Sequence, residues 1–240
     1  MELLMDIGCG SGERSTQYLT FLYPRATEII AIDPRKELIA EAKKFHQYPK
    51  VNYVVADIAD WYSLEMWEEK VSHMVSLRYL NFVLDLRVAF QNMFRLLKVD
   101  GEAVLLFPAG GEVYQCIQKV AQKPKWRPYF IDTVLVPEAI ERQWDRETYD
   151  TVLEEAGFTD IEVSDMETVT FVYPSEELFK DDILTTLAKT IPNELKEKFA
   201  EEILDEHTAY CQHENGSISI KYSYVCCFLR KSESEFEESL

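Results

Sequence analysis

The 240-residue chain, 47% hydrophobic, is long enough to bury a sizeable core as one large domain, or as one domain with an insert. Its formal net charge of −18 argues against a nucleic-acid backbone as partner and equally against an anionic membrane surface, since either needs a basic face. Five cysteines, odd in number and without a C-x-x-C pair, and four histidines scattered without ligand spacing argue against a disulfide frame, a metal site and a catalytic histidine, and point to a reducing, cytoplasmic setting.

Leu3-Leu4-Met5 predicts the end of a buried strand, too short to span a membrane, and Met1-Glu2 enters it with neither the basic start nor the cleavage site of a leader peptide. The turn Asp6-Ile7-Gly8-Cys9-Gly10-Ser11-Gly12 follows, and a helix is expected from near Gly12 to Leu22. A glycine-rich connection between strand and helix lets backbone N–H groups approach a ligand with no Cβ in the way, although a merely tight turn would use the same residues. The dinucleotide pattern G-x-G-x-x-G does not fit, because Glu13 stands where its third glycine belongs. The acid at Asp6 suits a cationic ligand and would repel a phosphate. This D-x-G-x-G-x-G turn resembles motif I of class I S-adenosylmethionine (SAM) methyltransferases.

Glu28 to Ile32 predicts a buried parallel strand ending in Asp33-Pro34, and Val51 to Val55 a third strand ending in Ala56-Asp57-Ile58. An acid at the end of the second strand, some 20 residues past the loop, suits a ribose diol, whose two hydroxyls its oxygens can accept. Either Asp33 or Asp57 alone would also serve as a helix N-cap. Three acids closing three successive strands read together as one ligand-binding edge.

Onward, a helix is expected from Arg35 to about His46, a short helix within Trp61–Glu69, a strand at Val71–Leu77 and a helix from about Leu84 to Leu97. Leu86, Phe90, Met93, Phe94 and Leu97 give that last helix one apolar face. A turn at Val99–Glu102 leads to a fifth strand, Ala103–Phe107. Strands alternating with helices imply a doubly wound, parallel α/β sheet with ligands at the carboxyl ends of its strands.

Beyond Phe107 the expected elements are a helix at Gly111–Ala121, an irregular aromatic stretch at Lys123–Phe130, a helix at Asp145–Ala156 closed by Gly157, and one alternating strand from Ile161 to Tyr173. Ser175 caps a further helix without a reciprocal capping box, Ile191 to about Tyr210 forms the last one, and Asn215-Gly216 makes a turn. Ser217 to Leu229 is expected to pair with Ile161–Tyr173. Residues 1–231 read as a single domain and 232–240 as an acidic, disordered tail.

The stretches Ser76-Leu77-Arg78-Tyr79-Leu80-Asn81-Phe82-Val83, Ala89–Leu97 and Pro124-Lys125-Trp126, with Ala156-Gly157-Phe158, Ile191-Pro192 and Ile220–Tyr224, resemble the arthropod juvenile hormone acid O-methyltransferases over nearly the whole chain. The resemblance implies a seven-stranded, Rossmann-like sheet with an antiparallel carboxyl-terminal strand pair. It implies methyl transfer from SAM to the carboxylate of a lipophilic sesquiterpenoid or fatty acid, giving a methyl ester. Gly8, Gly10 and Gly12 would then shape the loop under the amino-acid tail of SAM, Asp6 orient that end, Asp33 hold the ribose, and Asp57 with Ile58 hold adenine. Asn81 and Trp126 are the positioning candidates on the substrate side, with Phe107 as an apolar wall and Arg78 as a partner for the carboxylate. Plainer roles are a core position for Trp126, a helix cap for Asn81 and a solvated surface for Arg78. The family carries a helical segment ahead of its first strand, whereas five residues precede Asp6 here, which leaves a shortened or reduced-activity paralogue as a second reading. A non-catalytic SAM-fold partner and a methyltransferase acting on another small molecule are compatible with the same motifs.

Overall fold

The computed structural model describes residues 2–130, 135–187, 191–208 and 217–233. Within it the chain divides into two compact units. The first comprises Met1–Phe107, Trp144–Asp165 and the chain from Val225 onward; the second comprises Pro108–Gln143 and Met166–Tyr224.

The first unit is built on β1 (Leu3–Ile7), β2 (Glu28–Asp33), β3 (Val51–Val55), β4 (Val71–Leu77) and β5 (Leu97–Gly111), the last of which continues into the second unit. The strand order is β3-β2-β1-β4-β5-β8-β6, where β6 is Asp160–Val163 and β8 is Ile218–Arg230. The pairs β1/β2, β2/β3, β1/β4 and β4/β5 are parallel. Every residue of β1 is buried, as a strand flanked on both edges and covered on both faces requires, and this is why its sequence is a near-continuous apolar run. The order reverses between β1 and β4, which makes the crevice beyond their carboxyl ends the place where such sheets bind ligands. Ser76 Oγ donates to the Ile7 carbonyl at 3.0 Å and ties the two strand ends together there.

The helices of this unit are α1 (Ser15–Leu22), α2 (Lys36–Phe45), α3 (Leu86–Leu96) and α6 (Arg146–Glu155). Asp85 and Asp145 cap α3 and α6, accepting the N–H of Val88 at 3.1 Å and of Thr148 at 2.9 Å. Gly157 follows α6 at φ +110, and a Cβ there would lie 2.8 Å from the Phe94 ring, so both backbone and packing demand glycine. Phe94 in turn meets Phe158 edge to face at 5.3 Å between centroids.

The second unit holds α4 (Glu112–Ala121), α5 (Glu138–Glu141), β7 (Glu167–Tyr173), α7 (Glu176–Leu187), α8 (Asn193–Thr208) and the first part of β8. Its core gathers Val113, Ile117, Val120, Phe179, Phe199 and Ile203 from three helices. Ser175 Oγ accepts the Leu178 N–H at 3.3 Å, the cap expected for α7. The expected turn at Asn215-Gly216, the end of the last helix at Tyr210 and all but the first two residues of the acidic tail lie outside the described residues.

Three elements differ from expectation. The single strand Ile161–Tyr173 is two, β6 and β7, both antiparallel to β8, so the sheet has eight strands. Val163 pairs with Cys227 and Glu167 with Tyr224, which leaves three residues opposite two. This extra residue interrupts the ladder as a bulge does, and Ser164 Oγ takes the Cys226 N–H at 3.0 Å. The turn expected at Val99–Glu102 belongs to β5: Asp100 N–H donates to the Lys231 carbonyl and Lys231 N–H to that of Gly101, partners 130 residues away that local spacing does not reveal. The short helix expected within Trp61–Glu69 is two 3₁₀ turns, Trp61–Ser63 and Glu65–Trp67.

Candidate active site

The loop leaving β1 is fixed by its backbone. Gly8, Gly10 and Gly12 have φ of +78, +57 and +77, conformations that an L side chain adopts only with strain. The N–H groups of Gly8 and Cys9 both donate to the Ile32 carbonyl, at 2.8 and 3.0 Å, so the loop folds against the end of β2. Two of the three glycines are also covered by rings. A Cβ on Gly8 would fall 2.0 Å from Tyr79 Cγ, and one on Gly12 would fall 2.4 Å from Tyr53 Oη. A Cβ on Gly10 would meet nothing within 4 Å, so the middle of the loop is the part a ligand can reach.

Asp6 and Asp33 flank that opening, both wholly buried. Asp6 Oδ2 accepts from Thr16 Oγ1 at 2.6 Å and Ser15 Oγ at 2.9 Å, both in the first turn of α1. Its Oδ1 has no hydrogen-bond partner among the described residues. Burial pushes the Asp6 carboxyl up to about 6; the two hydroxyl donors pull it down, and Asp33 adds a smaller upward push. The Cys9 thiol between these acids is pushed far above its ordinary range by burial, reinforced by both carboxylates, which leaves it inert as a nucleophile near neutrality.

Asp33 accepts four hydrogen bonds. Oδ1 receives the backbone N–H and Nε of Arg35, each at 3.0 Å; Oδ2 receives the Gly10 N–H and Arg35 Nη2, each at 3.1 Å. Asp57, half-buried at the end of β3, accepts the Ala59 N–H at 3.0 Å and thereby shapes the turn after the strand. Ile58 beside it is fully buried, and its carbonyl accepts from Asn92 Nδ2 at 2.8 Å.

The structure thus gathers Asp6, Gly8, Gly10, Gly12 and Asp33 around one loop, with Asp57 at the tip of β3. On the other side of the loop, Asn81 lies buried in a 3₁₀ turn after β4, Arg78 is half-buried at φ +58, and Phe107 is buried against Tyr149. Trp126 belongs to the second unit. There it is 2% exposed, packs edge to face on Phe199 at 5.0 Å, and its indole N–H donates to Glu202 at 3.0 Å. Its neighbours Lys125 and Lys123 also pair with Glu202. Sequence reasoning passed over Arg35, Tyr79 and Tyr53. A basic residue two positions after a strand-terminal acid was the available signal for Arg35; for the tyrosines, folded onto the glycines from β3 and from the turn after β4, none was.

Residues 5–105, which hold the loop and all three acids, match the family described as a methyltransferase domain. Over those residues the chain carries the sequence of a methyltransferase domain. Over 238 residues the chain is 24% identical to a juvenile hormone acid O-methyltransferase of Bombyx mori, covering 95% of this chain and 84% of the relative. Its fold is similar to that of the YcgJ protein of a Bacillus species, with a TM-score of 0.61 and 16% identity over 97% of this chain and 93% of the other. The phosphoethanolamine N-methyltransferase 2 of Haemonchus contortus, solved in complex with SAM, is similar at a TM-score of 0.53 and 16% identity, with 97% of this chain and 49% of that one covered. Among the described residues of the chain, no helix is long and apolar enough to cross a membrane, and no cluster of His, Cys, Asp and Glu could hold a metal ion.

Proposed function

We propose that this methyltransferase esterifies the carboxylate of a lipophilic small acid. The observation that carries the reading is the edge formed by Asp6, Asp33 and Asp57 around a glycine loop open at Gly10, in a chain similar along 95% of its length to a juvenile hormone acid O-methyltransferase. The residues fit a cationic donor with an amino-acid tail and a ribose. Asp6 Oδ1 offers an unused acceptor at the loop for the ammonium end, Gly10 admits the tail, Asp33 takes the ribose diol, and Asp57 accepts from the adenine amino group. Ile58, enclosed by protein, lends that end its apolar packing. When bound, SAM supplies an electrophilic methyl group on a sulfonium.

The acceptor needs little help from side chains. A carboxylic acid with a pKa of about 4 to 5 is already ionised at neutral pH, so no general base is required. What the protein contributes is alignment of the carboxylate oxygen and a dry site. We assign Arg78 to the acceptor's charge, Asn81 to its orientation and Phe107 to its apolar wall; Trp126 supports the second unit that carries it. The test is incubation with labelled SAM and a panel of farnesoic acid, juvenile hormone acids, fatty acids and matched amines. Methyl esters from the sesquiterpenoid or fatty acids are the expected product. Labelled amines with unlabelled acids would reassign the acceptor class.

A further inference from the structure

Asp33 is saturated. A carboxylate offers about four acceptor positions, and here all four are taken. Two of the donors are backbone, one on each oxygen: Arg35 N–H on Oδ1 and Gly10 N–H on Oδ2. The other two are the prongs of one guanidinium, Nε on Oδ1 and Nη2 on Oδ2. The backbone donors alone hold the carboxylate in place, by the loop on one side and by the entry of α2 on the other. Removal of the side-chain fork would leave one acceptor position on each oxygen, side by side. That is the pattern a vicinal diol needs, two O–H donors converging on two oxygens of one acid. The fork therefore occupies the positions a ribose would use.

We propose that Arg35 is a latch on the cofactor site: its guanidinium stands in for the ribose diol at Asp33, and the cofactor binds by displacing it. The Arg35 side chain is 32% exposed while Asp33 is fully buried, so the arginine has a route into solvent and the acid has none. Arg35 lies ahead of α2, with extended backbone at φ −86 and ψ 106, so its side chain can swing without unwinding the helix. Its departure also opens one acceptor position on each Asp33 oxygen, and the ligand then meets a free edge of the carboxyl instead of a closed ion pair. An apparent affinity set by a competent state is lowered by the fraction of molecules in that state, so the latch holds the affinity for cofactor below what the open site would give.

The proposal rests on the reading of Asp33 as the ribose acid, and the test separates the two. Binding of S-adenosylhomocysteine is measured by calorimetry on the unmodified protein and on Arg35→Met, Arg35→Lys and Asp33→Ala, with a 2′,3′-dideoxy analogue as second ligand. The expected result is binding to Arg35→Met roughly tenfold tighter than to the parent, with Arg35→Lys between them because a lysine cannot form the fork, and no such gain for the ligand that lacks the diol. Equal or weaker binding to Arg35→Met, with Asp33→Ala still impaired, would overturn the latch and leave the ribose reading standing. Unimpaired binding to Asp33→Ala would remove both. Should Arg35→Met fail to fold, Arg35→Lys decides the question, since affinity at or below the parent's there contradicts the latch.

Discussion

The two sides of the glycine loop's opening carry the same residue type at the same burial, and treat it in opposite ways. On one side Asp6 is compensated only by the hydroxyls of Ser15 and Thr16 on a single oxygen, and its carboxyl is held near 6. On the other, Asp33 has a guanidinium and two backbone donors on both oxygens. A buried acid left under-compensated is a place where a ligand's positive charge adds binding. One already compensated is a place where a ligand has to compete. The loop thus favours a cation at the Asp6 end and resists a diol at the Asp33 end.

The harshest way to break this contrast is Asp33→Ala. It strands the Gly10 N–H and removes the partner of a half-buried guanidinium, so unfolding should become easier by about 3 kcal/mol, read from urea denaturation. S-adenosylhomocysteine affinity should fall with it. An unchanged urea midpoint would mean that the network around Asp33 does not hold the loop.

Asp6→Asn probes the other end, with the opposite sign. A carboxyl whose pKa rises from 3.8 unfolded to about 6 folded favours the native state when protonated, so its contribution is full below pH 3.8 and is lost as the pH rises through 6. Two pKa units correspond to about 3 kcal/mol at full burial. The neutral amide keeps an oxygen for Ser15 and Thr16, so the variant should be more stable than the parent at pH 8 by up to about that amount, and the difference should vanish near pH 4. Cofactor binding by the parent should tighten between pH 5 and 7 as Asp6 ionises, and this dependence should be absent in the variant. Matching stability curves for the two proteins across pH 4 to 8 would show that the buried charge is compensated after all.

How much of this was open to a reader of the sequence depends on the range of the interaction. The parallel sheet, the helices after β1, β2 and β4 and the positions of Asp6, Asp33 and Asp57 follow from hydrophobic runs ended by an acid or a turn, signals contained within a dozen residues. The caps at Asp85, Asp145 and Ser175 are equally local. What escaped was non-local or a matter of side-chain direction. The length of β5 depends on Lys231, and the break between β6 and β7 on a register against β8. The occupancy of Asp33 depends on a rotamer of Arg35, and the cover over Gly8 and Gly12 on rings sent from the turn after β4 and from β3. Trp126 shows the same limit, since an aromatic between prolines reads alike as ligand wall or as core until the Glu202 carboxylate is found on its indole.

Among the glycines, Gly10 supplies the smallest effect on stability and the finest test of where the ligand lies. All three have positive φ, so alanine at any of them carries a backbone cost of about 1 kcal/mol. For Gly10→Ala that is nearly the whole cost, because its Cβ would project into open space. Gly8→Ala adds overlap with Cγ and Cβ at the root of the buried Tyr79 side chain and should cost several times more; Gly12→Ala meets the far end of Tyr53, whose hydroxyl donates to the His46 carbonyl at 2.8 Å, and should fall between them. Cofactor affinity separates from this ranking. On the proposed placement of the cofactor the Gly10→Ala methyl would obstruct the amino-acid tail, so binding should fall more than tenfold while the melting temperature drops by only about 2 to 4 °C. If Gly10→Ala bound S-adenosylhomocysteine as well as the parent does, the tail would have to run elsewhere, and the unused oxygen of Asp6 would lose its proposed partner.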